Sequence, residues 1–205
     1  PAADVHLGMG FRVGEVTGKS AIVWTRVTAT ARRNETGFRE PKKRTPRVND
    51  YVPSKVPLRS RQGEIDGATG EVRVHWGETG KKKDRRTIEW VRVVPDHDFT
   101  HQFLITGLKP GRSYRVMVEA RAKPGAKVSA TAGGTFRTPA APDTAEDVTF
   151  VVVTGQSYWD LDDPAGYHIY PAMAKLKPHF IVPTGDTVYL DSEAPRARTV
   201  GLARF

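Results

Sequence analysis

The chain of 205 residues is long enough to form one large domain or two small ones. Its 38% hydrophobic and 27% charged residues are typical of a soluble globular protein, and no apolar run approaches the length of a membrane-spanning helix. The chain has no cysteine, which excludes disulfides, thiolate zinc sites and a cysteine nucleophile. Its formal net charge of +9 favours anionic partners such as phosphate esters, acidic polymers or nucleic acid.

Two segments of the chain concentrate positive charge. Ten Lys or Arg residues lie between Arg32 and Arg61, and five more lie within 81–86. We interpret both segments as solvated loops. They contain few aromatic side chains that could stack on bases, so we expect no nucleic-acid partner.

The first two thirds of the chain have the pattern of short strands. Apolar and β-branched residues predict strands over 21–27, 72–76, 87–94, 99–105, 113–120 and 133–138. The apolar alternation slips near Trp90, which predicts a β-bulge there. Turn sequences separate the strands, and no long helix is predicted before residue 140, so the pattern predicts a β-sandwich. Trp24, Trp76 and Trp90 are expected in its core.

A long segment interrupts this pattern at about 30–68. It contains four prolines among many charged residues, and it lacks the apolar periodicity of a strand or helix. We predict a basic surface insertion that is partly disordered on its own.

After a proline-rich linker at 139–147, the pattern changes. The apolar run at 148–153 predicts a strand buried on both faces, and 166–176 has helical spacing with Pro171 in the first turn. A second apolar strand follows at 179–183. This order predicts two parallel strands joined by a helix.

The segment after the second of these strands contains the strongest candidate site. Asp186 follows Gly185 directly, and ligands in α/β sheets bind beyond the carboxyl ends of strands. The first strand ends at Gly155 and Gln156, so Gly155 and Asp186 are expected to line one pocket, with Trp159 as a possible wall. A carboxylate there suits a metal ion. A turn aspartate that hydrogen-bonds local backbone is the ordinary alternative.

Two regions of the chain resemble the PhoD-like alkaline phosphatases (alkaline phosphatase D), which belong to the calcineurin-like metallophosphoesterases. The first resembles their fibronectin-III-like or Ig-like N-terminal domain through GEVT at 14–17, SAIVWTR at 20–26, LKPG at 108–111 and TFRT at 135–138. The second resembles the opening of their α/β catalytic domain through the apolar strands and the Gly-Asp-x-x-Tyr motif at 185–189. The resemblance implies an N-terminal domain at 1–138, a linker at 139–147 and the start of the metallophosphoesterase domain at 148–205.

The resemblance also implies roles for individual residues. Asp186 corresponds to an aspartate that bridges two metal ions, and Tyr189 corresponds to a tyrosine that ligates ferric iron. The family's metals are calcium and iron. At 154–156 the family has a triplet of the Ser-Cys-Gln type, whose Cys also ligates iron, whereas this chain has Gly155, which has no ligating side chain. Gln156 matches the family and is interpreted as a positioning residue.

The implied activity is hydrolysis of phosphate monoesters or diesters by a dinuclear metal site. The family's later Gly-Asn-His and Gly-His-x-His motifs are not in the chain, so we expect an N-terminal fragment that is inactive alone. The alternative is a secreted protein that binds an acidic polymer and has a degenerate hydrolase domain. The family implies a secreted, periplasmic or cell-surface location.

Overall fold

A computed structural model describes residues 3–38, 57–81, 83–156, 161–163 and 166–186. The chain divides into two compact units, the first made of residues up to 33 together with 65–146, and the second of 34–64 together with the residues from 147 onward.

The first unit contains two antiparallel sheets. The three-stranded sheet has the order β1-β2-β5, formed by β1 (Phe11–Gly14), β2 (Ser20–Arg26) and β5 (Thr100–Thr106). The four-stranded sheet has the order β4-β3-β6-β7, formed by β3 (Gly70–Glu78), β4 (Arg86–Val93), β6 (Ser113–Arg121) and β7 (Ala130–Arg137). The predicted strands are therefore present. Strand β1 is an addition that sequence reasoning missed, because only four residues form it.

The core of this unit lies where side chains of both sheets meet. Val23 and Phe103 come from the three-stranded sheet, Val74 and Val116 come from the four-stranded sheet, and all four are at most 1% exposed. The hydroxyl of Tyr114, at the start of β6, accepts a hydrogen bond from the backbone N–H of Lys109 at 2.8 Å. A tyrosine that ties a strand start to the preceding turn is a recurrent feature of β-sandwiches. The pattern of short alternating strands thus gives the predicted sandwich.

The tryptophans only partly follow the prediction. Trp76 lies in the core, but Trp24 and Trp90 are half-buried on outward-facing positions, so their assignment to the core was wrong. The predicted bulge is confirmed, because Val72 pairs with Val91 while Val74 pairs with Ile88. Two residues of β4 therefore oppose a single residue of β3.

The described ends of the insertion pair with each other. The N–H of Phe38 donates to the carbonyl of Ser60 at 2.8 Å, and the N–H of Asn34 donates to the carbonyl of Glu64 at 2.7 Å. Arg61 and Glu64 are buried. The interpretation of this basic segment as solvated loop is therefore wrong for these ends, where charged side chains leave water; residues 39–56 lie outside the described part.

In the second unit, β8 (Phe150–Val153), α1 (Ile169–Lys175) and β9 (Phe180–Pro183) follow one another, and β8 pairs with β9 in parallel. The strand, helix and strand appear in the predicted order. Helix α1 begins later than predicted, because Gly166 has a φ of 132°, which does not fit a right-handed helix. Lys177, with a φ of 48°, follows its end.

The predicted burial of these strands on both faces is wrong. Phe150 and Val152 of β8 are 51% and 56% exposed, and Ile181 of β9 is 44% exposed. An apolar run becomes buried only where other elements cover it, and within the described residues this sheet has two strands. Among the helices that the structure describes, none has the length and apolarity to cross a bilayer.

Candidate metal centre

The loops that follow β8 and β9 lie side by side, as the sequence predicts for parallel neighbours. The N–H of Gln156 donates to the carbonyl of Asp186 at 2.7 Å, and the N–H of Gly155 donates to the carbonyl of Gly185 at 3.4 Å. The N–H of Thr184 donates to the carbonyl of Val153 at 2.9 Å. These bonds continue the strand pairing into the loops and bring Gly155, Gln156 and Asp186 to one edge of the sheet.

Three residues at this edge have left-handed backbone. Gly155 has a φ of 70°, Gly185 a φ of 124° and Asp186 a φ of 53°. Glycine adopts such values without steric cost, and aspartate tolerates them better than most residues. The chain thus leaves β9 in a sharp turn that places the exposed Asp186 at the carboxyl end of the strand. This is the position where ligands bind in α/β sheets.

Gln156 is held by two contacts from different elements. Its backbone N–H bonds the Asp186 loop, as above, and its side-chain carbonyl oxygen accepts a hydrogen bond from the hydroxyl of Tyr170 in α1. Tyr170 packs edge-on against Tyr167, with 6.0 Å between the ring centres. Because its side-chain oxygen accepts a hydrogen bond from Tyr170, Gln156 connects α1 to the edge of the sheet where the loops after β8 and β9 meet.

The family to which the chain belongs is given by its first 140 residues. The model of the PhoD-like phosphatase N-terminal domain matches residues 1–140. The chain belongs to the PhoD-like phosphatase family. This match covers the whole sandwich and confirms the resemblance seen in the sequence motifs between residues 14 and 138.

One solved structure supports the fold. The structure of PhoD matches 89% of this chain at 19% sequence identity with a TM-score of 0.58, and the match covers 28% of the PhoD chain. This chain therefore spans little more than a quarter of PhoD. A fibronectin type III domain of human collagen alpha-1(XX) matches 71% of this chain and 93% of its own, at 16% identity and a TM-score of 0.37. No curated protein sequence matches this chain significantly.

The position at which this PhoD-like chain lacks the cysteine named above has a backbone suited to glycine. Gly155 has left-handed φ, and any residue with a Cβ would be strained there. A cysteine would not readily adopt this local conformation. In the same loop, the hydroxyl of Thr154 donates to the carbonyl oxygen of Gly185 at 3.5 Å.

The donor set at this edge fits one metal ligand and not a complete metal site. Asp186 supplies a carboxylate, and hard metal ions prefer oxygen ligands of this kind. Among the described residues, no group of three or more His, Asp or Glu side chains lies close enough together to hold a metal ion. Tyr189 and Trp159, the other residues predicted at this site, lie outside the described residues.

A second polar group precedes α1. The imidazole Nε2 of His168 lies 2.7 Å from a carboxylate oxygen of Asp163, and the backbone N–H of His168 donates to Asp162 at 2.7 Å. The hydrogen bond with Asp163 raises the pKa of His168. His168 is well exposed, so these hydrogen bonds fix the segment before α1 at the protein surface.

Proposed function

We propose that this chain forms the N-terminal part of a phosphoric ester hydrolase that acts on phosphate monoesters or diesters and uses two metal ions. The observation that carries the proposal is Asp186, exposed beyond the end of a parallel strand in a chain of the PhoD-like phosphatase family. Its turn is linked by backbone hydrogen bonds to the loop that contains Gly155 and Gln156. A carboxylate in this setting has the chemistry of a bridging metal ligand.

In the proposed role, Asp186 and Tyr189 hold metal ions, and the residues around them orient these ligands. Metal ions bound there would supply a hydroxide nucleophile at neutral pH and neutralise the charge of the phosphoryl group. Gln156, held by Tyr170, keeps the β8 loop against the Asp186 turn. Positive charge elsewhere on the chain would draw anionic esters toward the protein.

The proposal includes two finer features of organisation. The order of three and four strands fits a fibronectin-III-like sandwich, and the strand, helix and strand from 150 to 183 fit the opening of a metallophosphoesterase domain. We also propose that the protein is secreted or held in the periplasm or at the cell surface, which rests on the family alone.

The test compares full-length protein carrying Asp186→Ala with wild type and with a matched control. Asp147→Ala is a suitable control, since Asp147 is also an exposed aspartate of the second unit. We expect Asp186→Ala to lose bound metal and to lower hydrolysis of a chromogenic phosphodiester by about a hundredfold or more. Asp147→Ala should retain both. Wild-type protein that binds no metal and cleaves no phosphate ester would refute the proposal.

A second function is favoured by one observation, the glycine at position 155. A site that lacks the cysteine and has a glycine-type backbone in its place suits a hydrolase domain that has lost activity. The protein would then bind an acidic polymer through its basic surface. Metal-dependent turnover in the wild type excludes this alternative, whereas tight polymer binding without metal or turnover supports it.

A further inference from the structure

The hairpin that joins β3 to β4 is flanked by two hollows in the first unit. Their volumes are about 690 Å³ and 460 Å³, and they share Glu78, Gly80, Lys81 and Asp84 of the hairpin. The larger also contacts the turn at 107–109, and the smaller contacts Arg115 and Met117 of β6. We call these two hollows together the hairpin cleft.

Hydrogen bonds hold the walls of the hairpin cleft in place. A guanidinium N–H of Arg86 donates to the carbonyls of Thr106 and Gly107 at 3.2 and 3.1 Å, which joins the hairpin to the turn after β5. The backbone N–H of Glu78 donates to the carboxylate of Asp84 at 3.2 Å and closes the hairpin. The cleft is therefore a fixed feature of the sandwich.

The charges in the hairpin cleft are unbalanced. Its two carboxylates are neutralised, since Glu78 pairs with Lys81 at 2.7 Å and Asp84 lies 3.6 Å from Arg86. Four further cations line the cleft, and none of them has a carboxylate partner in the part of the chain that the structure describes: Lys83, Arg85, Lys109 and Arg115. All four are exposed. Four uncompensated cations on a fixed concave surface raise the local concentration of anions.

We propose that the hairpin cleft binds a polymer whose negative charges are phosphate groups. Phosphate oxygens accept hydrogen bonds from arginine in a bidentate geometry and from lysine as a point charge, and the cleft supplies two of each. The cations are divided between two adjoining hollows, so a chain with repeated charges contacts more of them than a single small anion does. The sandwich would thereby act as a binding module for an extended anionic chain.

The aromatic residues of the cleft argue against single-stranded nucleic acid as the occupant. The lining contains Tyr114 and Trp76, which are only 3% and 8% exposed. Proteins that bind single strands present exposed aromatic faces on which bases stack. The hairpin cleft offers cations without such a face among its described residues, which suits a phosphate chain that has no bases.

The choice of phosphate rests on the proposed function, whereas the presence of an anion site rests on the cleft alone. The binding test below uses no catalysis and no metal. Its failure would leave the proposed hydrolase activity standing, and loss of hydrolase activity would leave the binding result unchanged.

The test measures binding of long-chain inorganic polyphosphate to the chain by isothermal titration calorimetry. Lys83, Arg85, Lys109 and Arg115 are changed together to Gln, and a control variant changes Arg92, Lys123, Lys127 and Lys175 to Gln, which are also exposed. Both variants lose four positive charges. We expect the cleft variant to bind about tenfold more weakly or worse, and the control to stay within about threefold of wild type.

Circular dichroism confirms that each variant is folded before binding is compared. Absent polyphosphate binding by the wild type overturns the proposal. An equal loss in both variants overturns it as well, because net charge alone then accounts for the binding. Tighter binding of a base-containing single-stranded DNA of matched charge would identify nucleic acid as the occupant instead.

Discussion

His75 is a buried histidine of the sandwich that has a partner on each ring nitrogen. Nδ1 lies 2.7 Å from the hydroxyl of Thr87, and Nε2 lies 3.2 Å from the carboxylate of Glu119. Burial lowers the pKa of His75 below its ordinary value of 6.5 despite the hydrogen bond with Glu119. Burial raises the pKa of Glu119, but hydrogen bonds from Arg73 and His75 outweigh it and leave that pKa lowered.

These shifts give the sandwich a defined dependence on pH. A histidine whose pKa is lowered by folding binds fewer protons in the folded state than in the unfolded state. Its contribution to the free energy of unfolding is therefore complete above pH 6.5 and is lost as the pH falls below that value. Glu119 adds a loss below its ordinary pKa of 4.5. His101, whose pKa burial also lowers, acts in the same direction as His75.

We predict that the free energy of unfolding falls as the pH is lowered from 7 to 5, and that His75→Gln makes this fall shallower. Glutamine keeps a polar side chain at the position but does not titrate. Urea denaturation across this pH range gives the slope for both proteins. His101→Gln serves as a comparison for a histidine on the other sheet. An unchanged slope in His75→Gln would contradict the assignment.

At the residue scale, the sequence predicts the strand face on which a residue lies better than it predicts the residue's hydrogen-bond partners. The alternation of β3 places Arg73 and His75 on the same outward face, which sequence alone can show. It cannot show that Thr87 and Glu119 satisfy both ring nitrogens of His75, because that depends on the register of three strands. Asp186 is similar: its motif predicts its place after a strand, but its left-handed φ and its bond to Gln156 emerge only from the fold.

At the scale of elements, the bulge in β4 has the clearest consequence. Trp90 lies at the bulge, on the outer face of the four-stranded sheet. Its ring packs against two guanidinium groups, with 4.5 Å to Arg73 and 4.2 Å to Arg121. Each of these arginines is also paired with a carboxylate of the neighbouring strand, Glu119 and Glu71, at 2.6 Å. The tryptophan and the two ion pairs therefore link β3, β4 and β6.

We predict that Trp90→Ala destabilises the sandwich by about 1 to 3 kcal/mol, because it removes two cation–π contacts and the half-buried area of the ring. Trp90→Phe should retain part of this energy, since a phenyl ring still offers a face to the arginines. Chemical denaturation followed by far-ultraviolet circular dichroism measures both. A change below about 0.5 kcal/mol in Trp90→Ala would mean that the stack adds nothing to stability.

Strand β4 also shows why part of the fold could not be predicted from the sequence. An apolar residue in an alternating strand is assigned to the core by default, and Trp76 follows that rule. The bulge reverses the alternation beyond it, so Trp90 faces outward although the slip itself was visible in the sequence. The apolar strands β8 and β9 were assigned to a buried sheet, but burial depends on neighbouring elements that the pattern of one strand does not specify.

At the scale of the whole molecule, the two units have different relations to the proposed function. The first unit is a complete sandwich that belongs to the PhoD-like phosphatase N-terminal domain and contains the hairpin cleft. The second unit contains Asp186 and the parallel strand pair. The composition predicted an affinity for anions, and the family resemblance of several motifs predicted the phosphatase class. Neither the composition nor the motifs could show which cations lack a carboxylate partner, because the cations that pair with Glu78 and Asp84 are known only from the structure.

The measurement that tests the central claim most directly is anomalous diffraction from crystals of the full-length protein grown with manganese. We predict an anomalous peak within about 2.0 to 2.6 Å of an Asp186 carboxylate oxygen, beyond the carboxyl ends of β8 and β9, because carboxylates bind hard divalent ions at such distances. The peak should be absent from Asp186→Ala crystals. Metal bound elsewhere, or a peak that persists in Asp186→Ala, would contradict the account.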